Sequence, residues 1–171
     1  MESVMTTGRT MFATIHKLLP DNVIYYDPRP GRLRMIWFNK PQQRSLHGIY
    51  KKEVKAKVPA VIYYLEDDSL SMYVFKSTKR PDLKTPLYHA PLPNIYEDGR
   101  VCMGNVKKPQ NKSEIADLVQ AWETAFWTSE FSDSLWSNEQ QTNLKRSIRL
   151  RTQYPAKLLK PHKLTISNLL K

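Results

Sequence analysis

The sequence predicts an α+β domain: an antiparallel β-meander, then a turn-rich loop holding the one cysteine, then packing helices. Three observations predict it. Runs of β-branched and aromatic residues alternate with short turn clusters up to about residue 75, and short strands joined by short turns pair antiparallel. Proline and glycine then crowd around Cys102. Beyond them, apolar residues recur at helical spacing.

In chain order, Thr10–Leu19 suits a short helix or strand. Val23–Tyr26 and Leu33–Phe38 read as strands around the turn cluster Asp27-Pro28-Arg29-Pro30-Gly31. Lys40–Lys57 is polar and basic with no clear period, which reads as a loop or edge strand. Val58–Leu65 and Leu70–Phe75 are the strongest strands, joined by a turn at Glu66–Ser69. Leu70, Met72 and Val74 alternate with Ser71, Tyr73 and Phe75, so one face of that strand is expected to be less fully buried. Lys76–Leu87, with Pro81 and Pro86, leaves the sheet as a loop.

After the cysteine, Val106–Lys112 is a polar loop, and Ser113 is a candidate N-cap with Glu114 and Asp117 near the positive helix end. Ile115, Leu118, Val119, Trp122 and Phe126 form one apolar stripe, a core face expected to pack under the cysteine loop. Asn138–Arg151 reads as a second helix with a thin apolar edge, Leu144 and Ile148. Tyr154-Pro155 closes it, and Leu164–Leu170 suits a final short helix. The organisation expected is a β-rich N-terminal extension (1–47), a core with the Cys102 loop (48–137) and a basic C-terminal helical segment (138–171).

At 171 residues the chain is one domain, or one with a small appendage. No apolar run approaches the roughly 18 to 20 residues that cross a bilayer. Met1–Met5 lacks the basic start of a signal peptide, and a single cysteine makes no internal disulfide, so a reducing cytoplasm is expected. The net charge is +11, and after Glu139 eight basic residues follow with no acidic one. Among them Lys145, Arg146 and Arg149 would share one helix face, a patch suited to an acidic protein surface or, without any recognisable motif, nucleic acid.

Ala90–Asn105 is the stretch around which the rest is organised. Pro91 and Pro93 fix φ and remove two donors, so Pro91–Asn94 is extended or turning. Glu97-Asp98-Gly99 is a tight-turn signal. The chain folds back and brings the Cys102 thiol beside the Pro93-Asn94 segment. Taken alone, a single cysteine is more often a small inert hydrophobe; its turn-rich setting and Arg100 nearby weigh against that.

Pro93-Asn94-Ile95 followed by Gly99-Arg100-Val101-Cys102-Met103 resembles the active-site segment of ubiquitin-conjugating (UBC-fold) enzymes, whose cysteine lies eight residues after the asparagine. Asn94 keeps the family's spacing, and the resemblance implies a reactive thiol. Leu92 departs from the family's usual histidine, a residue read as shaping the loop. Thr85–Pro91 with Asp98–Cys102 is most similar to a bacterial branch, the prokaryotic ubiquitin-conjugating-like family D, the B protein of plasmid-linked PRTRC systems. The resemblance spans about Val58 to Asp133.

It implies a transferase that carries a ubiquitin-like modifier as a thioester on Cys102, with Asn94 as a carboxamide donor to the oxyanion. Pro91, Pro93, Asp98 and Gly99 would shape the loop. An alternative for Asn94 is a side chain that bonds its own turn. A Cys-His-Asn hydrolase using His89 lacks a separate base-bearing element. No cofactor is expected: histidines at metal-ligand spacing and a P-loop are both missing. ATP chemistry would then fall to a separate activating enzyme that supplies the modifier. The alternative class is a non-catalytic UBC-fold module that docks a ubiquitin-like protein or another component of a plasmid or defence system.

Overall fold

The computed structural model describes residues 19–29, 31–49, 52–104, 106–110, 114–131 and 138–171. It shows an α+β fold built on a six-stranded antiparallel sheet. Strands β1 (Val23–Arg29), β2 (Arg32–Asn39), β5 (Ala60–Glu66), β6 (Ser69–Phe75), β7 (Pro86–His89) and β8 (Pro161–Thr165) lie in that order across it. Strands β3 (Gln42–Leu46) and β4 (Val54–Val58) form a separate hairpin between β2 and β5. Helices α1 (Ile115–Trp127) and α2 (Asn138–Leu150) follow the cysteine.

β2, from the stretch 1–47, hydrogen-bonds directly onto β5 in continuous register, Trp37 opposite Tyr63, and β1 pairs with β2 across a register shift between Val23 and Tyr25. The stretch Lys40–Lys57, read as loop or edge strand, holds β3 and most of β4. The expected strand Val58–Leu65 is broken at Pro59, where the chain leaves β4 and enters β5. Proline has no N–H to give a ladder, so a sheet-to-sheet step falls naturally there.

Alternation along the strands sorts two cores. Met35, Trp37, Tyr63, Leu65, Met72 and Val74 face one way and meet Leu118, Val119, Trp122 and Phe126 of α1. Ile36, Phe38, Ile62, Tyr73 and Phe75 face the other way. The second face is covered by the C-terminal end of the chain, Ile166 with Leu164, Leu169 and Leu170. The less buried face expected for β6 is therefore corrected: Tyr73 and Phe75 are 4% and 2% exposed. The covering segment is also not the single helix expected over Leu164–Leu170. Leu164 lies in β8, and only Ile166–Leu170 is helical, as a 3-10 turn.

α1 is fastened to the sheet by a polar network inside the apolar seam. Trp37 stacks on Tyr63 at 4.9 Å, and its Nε1 donates to Glu123 Oε1 at 3.1 Å. Arg44 from β3 donates to the other Glu123 oxygen at 2.7 Å and lies over the Trp127 ring at 5.0 Å. Trp127 Nε1 and Asn39 Nδ2 both donate to the Tyr63 hydroxyl, at 3.0 and 3.2 Å. Burial strongly disfavours ionisation of that hydroxyl. These bonds satisfy most of the buried polar atoms of the seam, Arg44 Nε being without a partner among the described residues. α1 keeps the expected stripe and has Glu114 at its N-cap; Ser113 and residues 10–18 lie outside the described residues.

Candidate active site

The cysteine loop is a hairpin clamped to the margin of β6. Gly99 N–H donates to the Tyr96 carbonyl at 2.9 Å, Tyr96 N–H to the Arg100 carbonyl at 2.8 Å, and Cys102 N–H to the Asn94 carbonyl at 2.7 Å. The loop of the hairpin is Glu97-Asp98-Gly99, and its third residue takes a left-handed φ of +92°. A three-residue hairpin loop commonly requires that conformation there, which glycine adopts without penalty. The returning arm then pairs with β6: Met72 N–H donates to the Gly99 carbonyl and Val101 N–H to the Leu70 carbonyl, both at 2.8 Å.

Strand alternation decides which side chains reach solvent. Ile95 and Val101 bridge each other and pack into the main core. Tyr96, Arg100 and Cys102 consequently share the opposite, outer face. Cys102 is half-buried, and Tyr96 is 42% exposed. The neighbouring Cys102 thiol, first as a hydrogen-bonding group and then through its charge, raises the pKa of the Tyr96 phenol; Arg100 works against it. The Arg100 guanidinium lies 5.7 Å from the Tyr96 ring centre and is paired with Asp98 at 2.6 Å. Burial pushes the Asp98 pKa up, but hydrogen bonds from the Arg100 backbone and side chain outweigh it and hold the carboxyl below its ordinary value.

Asn94 is brought to Cys102 through its backbone carbonyl. Its φ of +57° is left-handed, a conformation for which asparagine is among the better-suited non-glycine residues. The side chain is buried and turned inward, with Nδ2 donating to the Glu130 carbonyl just past α1 at 2.9 Å. Asn94 thus ties the cysteine arm to the end of the helix, a longer-range bond than one within its own turn. Pro91, Leu92 and Pro93 are all buried, wedging the loop into the core ahead of Asn94. Asp98 accepts from Arg100 N–H at 3.0 Å and so holds the turn.

His89 is placed elsewhere, in β7, with its ring 4.3 Å from that of His162. Lys145, Arg146 and Arg149 lie on α2, with Arg146 and Arg149 exposed and Lys145 half-buried. Two residues of the site are not among the sequence-predicted ones. Tyr96 was findable from hairpin parity, since it stands as far before the turn as Arg100 stands after it. His162 had no local signal, because the strand that delivers it is 60 residues away from Cys102. Among the described residues no group of metal-ligating side chains comes together.

An antiparallel meander with a cysteine hairpin on its margin and helices following is the arrangement expected of a ubiquitin-conjugating-type domain. The chain belongs to prokaryotic E2 family D, whose family model matches residues 1–163. That match extends well beyond Val58–Asp133 and takes in β1 to β4 and α2. No curated protein and no solved structure matches the chain. Among the described residues no helix is long and apolar enough to cross a membrane.

Proposed function

We propose that this E2-like protein accepts a ubiquitin-like modifier as a thioester on Cys102 and passes it to an acceptor. The observation that carries the reading is the lone cysteine, half-buried on the outer face of a braced hairpin, in a chain of prokaryotic E2 family D. In the loading step the Cys102 thiolate attacks the modifier's thioester carbonyl on an activating enzyme. A new C–S bond forms, the old one breaks, and the departing thiolate takes the electron pair. An acceptor amine then attacks in turn, loses its proton and releases the Cys102 thiol. Both steps pass through an oxyanion, and Asn94 is the nearby carboxamide. With the buried carboxamide bonded to Glu130, that role would require the side chain to turn toward the thiol. The setting proposed is a reducing cytoplasm, where the thiol stays free.

A direct test combines the purified protein with a ubiquitin-like protein and an adenylating enzyme that activates it. The expected result is a covalent adduct that dithiothreitol releases, formed by a native protein whose Cys102 reacts with iodoacetamide. The commitment of Asn94 to Glu130 and the apolar Leu92 favour a second reading, a non-catalytic docking module. A Cys102 that resists alkylation until denaturation, with no adduct formed, would establish that second reading.

The exposed Arg146 and Arg149, with Lys145 beside them, suit docking of an acidic face on the modifier or activating enzyme. Reversing Arg146 and Arg149 to Glu is expected to slow loading several-fold at low salt and much less at high salt, since such charges chiefly raise association rates. Equal rates at low salt would remove the docking role. DNA retention lost with loading unchanged would assign the patch to nucleic acid.

A further inference from the structure

β8 does more than close the sheet. It pairs with β7, Tyr88 opposite Pro161, and His89 N–H donates to the Lys160 carbonyl at 2.9 Å. That register delivers His162 to the underside of the cysteine hairpin. Its Nε2 lies 3.2 Å from the Glu97 carbonyl. The ring stands edge-on to Tyr73 at 5.0 Å and tilted against His89 at 4.3 Å. A carbonyl only accepts, so Nε2 carries the proton. Nδ1 is then a lone pair, buried and without a hydrogen-bond partner among the described residues. The next carbonyl, that of Asp98, accepts from the Tyr73 hydroxyl at 3.0 Å. Leu92, apolar and buried, gives this hairpin no hydrogen bond from its side chain.

We infer that His162 is a positioning residue for Cys102: the C-terminal strand reaches back to pin the Glu97 carbonyl, which fixes the turn of the hairpin and through it the arm that carries the thiol. The inference rests on reading Cys102 as the reacting group. Its physical basis is local. Glu97 adjoins Tyr96, whose N–H donates to the Arg100 carbonyl two residues ahead of Cys102, so motion of the turn is passed to the reacting arm.

His89, packed against His162, sits below its ordinary value of 6.5, first because it is buried and second because of His162. A depressed histidine favours the fold while neutral; that contribution is full above about 6.5 and is lost as pH falls through the lower folded value.

The test uses the whole chain with His162→Phe, which keeps a ring on Tyr73 and His89, and His162→Gln, which keeps an N–H donor. Hydrogen exchange at Tyr96, Gly99, Val101 and Cys102 and alkylation of Cys102 by iodoacetamide are followed at about pH 7.5. The Phe variant is expected to speed both by about three- to tenfold, and Gln to restore most of the protection. Hairpin exchange and alkylation unchanged in Phe, or Gln no better than Phe, would overturn the brace. If Phe unfolds, His162→Leu takes its place: faster exchange and alkylation in Leu than in Gln support the inference, and equal rates refute it. None of these readouts involves a modifier, so a chain with an intact brace that never forms an adduct sinks the thioester reading alone.

Discussion

Cys102→Ser folds like the wild type but forms no adduct that a thiol releases. The side chain is half-buried and small, so the stability change should be within about 1 kcal/mol. Chemistry is another matter. Sulfur is intrinsically the stronger nucleophile, whereas a serine hydroxyl needs an adjacent general base to attack. Among the described residues the nearest candidates for a base are engaged elsewhere, His89 against His162 and Asp98 with Arg100. The expected outcome is complete loss of the dithiothreitol-sensitive band, or a slow ester that withstands dithiothreitol and yields to hydroxide. The chain has one cysteine, so the comparison is clean. A thiol-sensitive band persisting in Cys102→Ser would place the acyl group elsewhere and end the assignment.

The elements that were legible in the sequence are those whose signal is local. β1, β2, β5 and β6 follow β-branched and aromatic runs, and α1 follows a stripe whose members are all buried against the sheet. The cysteine hairpin was legible for the same reason, since Asp98-Gly99 dictates its own turn. What was not legible depends on partners distant in sequence. Leu164, Ile166, Leu169 and Leu170 have a spacing that fits a helix in isolation. The need to cover Tyr73 and Phe75 on the sheet's second face, and the free edge of β7, draws Pro161–Thr165 into a strand instead. Tertiary context of this kind overrides weak propensity. Asn94 shows the same limit at the site. Its closeness to Cys102 was readable from spacing, but the bond from its carboxamide to Glu130 depends on where α1 ends.

The most damaging single change to the site that leaves Cys102 in place is expected at Gly99. Two independent costs meet there. The backbone holds φ at +92°, where an L-residue with a side chain is strained by about 1–3 kcal/mol. A Cβ at that position would also lie 2.6 Å from Tyr73 Cζ and 2.8 Å from its hydroxyl oxygen, inside any real carbon contact. Tyr73 is a poor candidate to yield, being buried between the hairpin and His162 and tethered to the Asp98 carbonyl. Overpacking of that sort costs about 1–3 kcal/mol, so Gly99→Ala should lose roughly 2–5 kcal/mol in urea unfolding. The two costs separate in a double-mutant cycle with Tyr73→Ala. Removing the ring relieves the clash and leaves the backbone strain, so the double variant should be more stable than the sum of the singles by about 1 kcal/mol or more. Strict additivity would mean that the backbone conformation alone sets the requirement for glycine. A Gly99→Ala protein as stable as wild type, with Cys102 alkylated at the wild-type rate, would show that the hairpin does not close on Tyr73 as described.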